Sequence, residues 1–148
     1  MTGFRVGFMR SPEEVIAMAA KLQEALVSCG TAISQYGALA AIEGPQDCVR
    51  AVRDVYRRRR DLAIDYVRSR DAHSCTPRGA FYLMIDVSAS GLDGQEFAME
   101  LLRARRVAVA PGPTFGPGSK QYVRISLASS EEDILQGLDA IHGMLCGA

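Results

Sequence analysis

Residues 107–128 read VAVAPGPTFGPGSKQYVRISLA, and this stretch decides the fold. From Tyr122 to Ala128 the side chains alternate, with Val123, Ile125 and Leu127 on one side and Tyr122, Arg124 and Ser126 on the other. That is the period of a strand with one buried face. Val107–Ala110 reads as a second strand. Between them APGPTFGPGS (110–119) is too rich in glycine and proline to continue either one, so it is a loop. Immediately downstream, Ser129 and Glu132 have the spacing of a capping box opening a last helix. Ile134, Leu135, Leu138, Ile141 and Leu145 form its apolar face.

Upstream the same logic yields alternating elements. After Pro77-Arg78-Gly79 comes AFYLMIDV (80–87), apolar on both faces, which predicts a strand buried on both sides. Gly94–Arg103 predicts a short amphipathic helix carrying Phe97, Leu101 and Leu102. Gln46–Arg70 predicts a long charged helix whose stripe is Val49, Val52, Val55, Tyr56, Leu62, Ala63, Tyr66 and Val67. Its RRRR run, Arg57–Arg60, sits among Asp54, Asp61 and Asp65 without aromatic interleaving, and reads as a solvated face rather than a nucleic-acid patch.

Near the N-terminus, Arg5–Met9 predicts a short strand. Ser11, Pro12 and Glu14 predict a capped helix start, followed by Val15, Met18, Ala19, Leu22 and Leu26 at helical spacing up to Gly30. Ala32–Ile42 is a second, alanine-rich helix closed by Gly44-Pro45. The succession of helices and strands predicts an α/β layer arrangement, a small sheet covered by helices.

Composition bounds the function. The 148 residues suit a core of ordinary size, and a formal net charge of zero supplies no global attraction for nucleic acid or acidic membranes. No apolar run is long enough to span a bilayer, and the N-terminus has no signal-peptide pattern, so a cytoplasmic location is expected. Cys29, Cys48, Cys75 and Cys146 are far apart, which argues against zinc and for reduced thiols.

Two arginines stand out as anion binders. Arg5 lies between Gly3 and Gly7, where exposed amides plus a guanidinium suit a phosphate. Arg124 lies mid-strand on the polar side, where a rigidly held guanidinium matches a carboxylate bidentately. A lone strand arginine is more often an ion-pair partner, so neither residue decides a function by itself.

The segments MTGFRVGF, GAFYLMIDV, VAVAPGPTFGPGSKQYVRISLA and SSEEDILQGLDAI together resemble the C-terminal portion of the class I aminotransferases, pyridoxal-phosphate enzymes of the aspartate aminotransferase fold (fold type I). SQYGALAAIEGPQD and RRRRD fall in family order too. The resemblance implies that residues 1–44 are the end of the large cofactor-binding domain, its last strand and helices, and that 45–148 form the small C-terminal domain with a three-stranded sheet covered by helices. It implies that Arg5 contacts the cofactor phosphate and that Arg124 receives the α-carboxylate of an amino acid or 2-oxo acid. SCGTAISQYG resembles a segment near a subunit interface. The Schiff-base lysine of the family falls ahead of Met1, so the chain is expected to be the tail of a longer enzyme and inactive alone.

Neither of the two lysines replaces it. Lys21 reads as solvated on the first helix, and Lys120 lies in the loop before the Arg124 strand with nothing nearby in the sequence to mark it as a nucleophile. His73 and His142 read as surface or helix-end residues rather than acid–base groups. Deprived of the sheet it would pack on, Ala32–Ile42 is expected to expose an apolar surface that drives oligomerisation or stays mobile. Two other readings are a noncatalytic module that complements a separate N-terminal half, and the tail of a fold type I lyase or an aminotransferase-like transcription regulator.

Overall fold

A computed structural model describes residues 1–70 and 76–147; His73 and Cys75 lie outside the described residues. The chain divides into two compact units, Met1–Arg50 and Ala51–Ala148.

The first unit is helical. A 3₁₀ turn, Thr2–Phe4, precedes α1 (Glu13–Val27) and α2 (Ala32–Glu43). The strand expected at Arg5–Met9 does not form. A strand exists only where a second extended segment shares its ladder, and none of the described residues of this unit provides one. The expected Ser11 cap is also displaced. Pro12 itself is the N-cap, because its carbonyl accepts from Val15 and Ile16 at 3.0 and 3.1 Å, and no side chain caps the helix. Glu13 and Glu14 in the first turn face the positive end of the dipole instead. Neither α1 nor α2 contains a buried residue; Met18, Leu22, Leu26, Ile33 and Tyr36 are all exposed.

The second unit holds the sheet. In chain order come α3 (Asp47–Arg68, whose first turn belongs to the first unit), β1 (Tyr82–Asp86), α4 (Gly94–Arg105), β2 (Ala110–Pro111), β3 (Tyr122–Ser126) and α5 (Glu131–Leu145). The sheet order is β1-β3-β2, antiparallel throughout, with Met84 opposite Arg124 and Ala110 on the other side of it. Leu83, Ile85, Val123 and Leu127 share one buried cluster with Ile64 and Val67 of α3, Phe97 and Leu101 of α4, and Ile134, Leu138 and Ile141 of α5. All three helices therefore lie on one face, giving a mixed two-layer α/β unit. At about 25 cal/mol per Å² of apolar surface removed from water, such a cluster is the dominant stabilising term.

One-sided cover explains why β1 is not buried on both faces. Leu83 and Ile85 are buried, whereas Tyr82, Met84 and Asp86 are only half-buried on the helix-free face. β2 is shorter than the expected Val107–Ala110 strand. A cleft of about 150 Å³, lined by Val107, Val109, Ile125, Ser126 and Gly137, separates that run from β3 and α5. Pro111 ends the ladder because it has no N–H to donate.

The helix starts are set by side-chain caps. Asp93 accepts from the amides of Gln95 and Glu96 while Glu96 accepts from the Asp93 amide, a complete capping box at α4. At α5 the capping pair is Ser130 and Asp133, one residue on from the expected Ser129 and Glu132: the Ser130 hydroxyl accepts from the Asp133 amide at 3.1 Å and donates to its carboxylate at 2.7 Å. Among the described residues no helix is long and apolar enough to cross a membrane.

Candidate functional site

Arg124 projects from the middle of β3 on the face opposite Val123, and is half-buried. Its guanidinium carbon lies 4.0 Å from the Tyr82 ring centre and 4.1 Å from that of Phe115. Tyr82 comes from β1, one diagonal step across the ladder on the same face, since it pairs with Ser126 while Met84 pairs with Arg124. Phe115 comes from the glycine/proline loop. Among the described residues no carboxylate pairs with Arg124. Stacking on aromatic rings fixes a guanidinium through its face and leaves its N–H edge for a planar, bidentate acceptor. The arrangement is thus a positively charged edge without a counterion among the described residues.

The loop that delivers Phe115 is anchored by backbone contacts only glycine permits. Gly112 opens a 3₁₀ turn ending at Phe115, and a Cβ there would overlap the carbonyl oxygens of Ser119 and Tyr122. Gly94, the first residue of α4, meets Tyr122 O equally closely and donates its N–H to Lys120 O at 2.8 Å. A second clamp runs from Val87 N–H to Gln121 O, 2.8 Å. Thr114 Oγ1 closes the turn on Pro111 O at 2.7 Å. Lys120 thus contributes its carbonyl to the anchorage, while its side chain is exposed.

Arg5 belongs to the first unit. It closes the Thr2–Phe4 turn in the left-handed conformation, φ 49°, and its Nη1 donates to Thr2 O at 3.3 Å. Ser34 of α2 donates to Phe4 O at 2.8 Å and fixes the turn. The N–H groups of Val6 and Gly7 have no protein partner among the described residues. Arg5 lines an open concavity of about 790 Å³ with Val6, Gly7, Phe8 and Gln35. A guanidinium beside two free amides is a donor-only set, which suits phosphate oxygens.

The other candidates stand apart. Lys21 is exposed on α1. His142 lies in the last turn of α5, its ring nitrogens 3.5 and 3.8 Å from Cys146 Sγ. Tyr82 and Phe115, which flank Arg124, were not legible as site residues, because the diagonal contact needs the β1–β3 register and Phe115 needs the loop path.

The sequence profile described as aminotransferase class I and II matches residues 1–141. The chain belongs to the class I and II aminotransferase family. It is 39% identical over 146 residues to a (5-formylfuran-3-yl)methyl phosphate transaminase of Methanocaldococcus jannaschii, covering 98% of this chain and 39% of that one. An aspartate aminotransferase of Musicola paradisiaca is 35% identical, over 95% of this chain and 36% of its own length. The structure superposes on an aromatic aminotransferase from Pyrococcus horikoshii OT3 with a TM-score of 0.90 at 32% identity, covering 99% of this chain and 40% of that one. The chain therefore spans under two fifths of the curated relatives it matches, and its sheet and helices correspond to the C-terminal domain of the fold type I aminotransferases.

Proposed function

We propose that this chain is the C-terminal part of a pyridoxal-phosphate-dependent aminotransferase that moves an amino group between an amino acid and a 2-oxo acid. Arg124 holds the substrate α-carboxylate in this reading, and the observation that carries it is the aromatic-flanked guanidinium with no carboxylate partner among the described residues. Arg5 and the amides of Val6 and Gly7 hold the cofactor phosphate; this donor set fits that part of the group.

Class I enzymes use pyridoxal phosphate, which when bound withdraws electrons from the substrate α-carbon so that amino group and proton can be exchanged. This chain binds and orients in that scheme. The covalent and proton-transfer work needs a lysine amine, and in this reading neither Lys21 nor Lys120, both exposed, supplies it. We therefore assign no turnover to the 148 residues by themselves. The exposed apolar faces of α1 and α2 in the first unit find their cover in a second copy or in the N-terminal half of the enzyme.

Titration with 2-oxoglutarate, followed through the Arg124 Nε–H and the Tyr82 and Phe115 ring signals by NMR, tests the carboxylate role. Saturable shifts at those three residues that vanish in Arg124→Gln are the expected result. Shifts that persist in the variant, or none at all in the parent chain, sink it.

A further inference from the structure

Arg124 stands on the helix-free face of the sheet, yet a continuous run of ring contacts ties it to the helix layer behind. Its guanidinium carbon lies 4.0 Å from the Tyr82 ring centre. The Tyr82 ring meets that of Phe81 at 4.4 Å, tilted by 40°. Phe81 in turn stacks on Tyr56 of α3, ring centres 5.5 Å apart at an interplanar angle of 27°. At the far end the Arg59 guanidinium lies 5.9 Å from the Tyr56 ring centre.

The inner rungs are held by more than their rings. Phe81 O accepts from Leu127 N–H at 2.8 Å, one step beyond the Tyr82–Ser126 pair of β1 and β3. Arg59 Nη1 donates to Leu127 O at 3.2 Å, so both backbone groups of Leu127 are engaged at this end of the sheet. Ala80, immediately before Phe81, takes the left-handed conformation, φ 59°. That conformation is uncommon for a residue with a side chain and persists only where its surroundings over-determine it. Tyr56 and Phe81 both pack against the buried core, whereas Tyr82 is only half-buried on the open face. The Phe81–Tyr82 contact therefore passes support from the core side to the side that carries Arg124.

We propose that Phe81, backed by Tyr56, is a positioning residue that aims the N–H edge of Arg124 by fixing the Tyr82 ring; the ligand this serves rests on the carboxylate reading above. A guanidinium binds a carboxylate bidentately only when two parallel N–H groups are presented together. The surface it lies on must then be fixed as well. Left to itself, a half-buried tyrosine ring has a broad χ2 torsion. With a guanidinium 4.0 Å and a second ring 4.4 Å from its centre, the Tyr82 ring cannot turn without losing both contacts. The ring contacts of the guanidinium are Tyr82 and Phe115, so Phe81 acts at one remove. Filling space in the core would need only an apolar side chain at position 81. Positioning needs the ring.

Titration of the 148-residue chain with 2-oxoglutarate, read by NMR at the Arg124 Nε–H and the Tyr82 ring, tests this. Phe81→Leu keeps an apolar side chain and removes the ring. It is expected to move the Arg124 Nε–H signal without ligand and to weaken binding about three- to tenfold, the effect of one aromatic pair. Phe81→Tyr restores both. Because Phe81 acts through Tyr82, adding Phe81→Leu to Tyr82→Leu has no further effect on affinity. Tyr56→Leu, on α3 rather than at the strand end, gives the same displacement in smaller measure and serves where Phe81→Leu loosens the strand. Additive losses in the double variant overturn the proposal, as does an Arg124 Nε–H signal that neither Phe81→Leu nor Tyr56→Leu moves, or a Phe81→Tyr chain that binds as weakly as Phe81→Leu. If the parent chain shows no shifts with 2-oxoglutarate, or Arg124→Gln retains them, the carboxylate reading fails; the ligand-free Nε–H signal then still decides whether Phe81 positions the guanidinium.

Discussion

The hydroxyl of Tyr66, on α3, donates a hydrogen bond to the carboxylate of Asp139, on α5, and Arg70 closes the group. The Arg70 guanidinium lies 3.7 Å from the Tyr66 ring centre and 3.4 Å from Asp139 Oδ1. Two helices that meet on the same sheet face are thereby joined at the rim of their shared core. Burial first, then the hydrogen bond to Asp139 and its negative charge, raises the Tyr66 pKa from 10.0 to about 12, against a smaller opposing effect of Arg70.

A raised tyrosine pKa means that the folded state holds the phenolic proton more tightly than the unfolded state does. Its stabilisation is complete below pH 10 and declines as pH rises from there through about 12. Tyr66→Phe removes the hydrogen bond and costs about 1 kcal/mol at neutral pH. It also flattens the stability curve in that alkaline window. Urea melts at pH 8, 10 and 11 on parent and variant check both effects; a parent curve parallel to the variant's contradicts the assignment.

Asp93 caps α4 through two backbone amides while Glu96 returns the bond. Asp93→Ala leaves those amides without a side-chain acceptor and lowers stability by about 1 kcal/mol, whereas Asp93→Ser retains most of it. Chemical denaturation of both variants measures the difference.

How much the sequence reveals differs between the units. The alternation in YVRISLA located β3 because a sheet covered on one face stamps its period on the chain, whereas the apolar run AFYLMIDV located β1 but concealed that only one of its faces is covered. The helices of both units were legible from their apolar spacing, with ends displaced by one or two residues. Caps were less legible. DGQE carries a capping box with Asp in place of the more familiar Ser or Thr, and SSEED offers two serines whose choice depends on which hydroxyl the first helical turn meets. The Arg5–Met9 strand does not form, because apolar alternation in a sequence cannot show whether a ladder partner exists. The RRRR run reads as a solvated face, yet the Arg59 guanidinium reaches Leu127 O, a contact 68 residues away along the chain. Arg124 was found as a polar residue on a strand; its aromatic flank depends on register and loop path, which are tertiary facts.

The exposed apolar surface of the first unit should be visible in solution. Ile33, Tyr36 and Ile42 on α2 are 75%, 75% and 65% exposed, and α1 adds Met18 at 71% and Leu26 at 80%. Burial of such side chains is worth about 1.5–3 kcal/mol each, so concentration-dependent self-association is expected. Ile33→Glu with Ile42→Lys shifts the sedimentation profile toward monomer by at least fivefold in association constant. A parent chain that remains monomeric at high concentration contradicts this expectation.

Gly112 links the backbone geometry of the loop to the chemistry at Arg124. Its α-hydrogen faces the carbonyl oxygens of Ser119 and Tyr122 in a space a methyl group cannot enter, and neither oxygen belongs to a flexible side chain. Gly112→Ala must therefore push the turn away from β3, at a cost of about 1–3 kcal/mol for overpacking. Phe115 is carried by that turn, so displacement separates its ring from the guanidinium and leaves Tyr82 as the remaining flank. The helix-covered core is untouched, so the variant still folds. Denaturant titration reads the stability loss, and the Phe115 ring signals, together with a several-fold weaker response to 2-oxoglutarate, read the loss of the flank. Phe115→Leu supplies the control: it removes the ring contact without straining the turn, so it should reproduce the weaker binding with little loss of stability. If instead Phe115→Leu binds as the parent does, the aromatic flank has no part in holding the guanidinium, and the fixed N–H edge must be explained by Tyr82 and the strand alone.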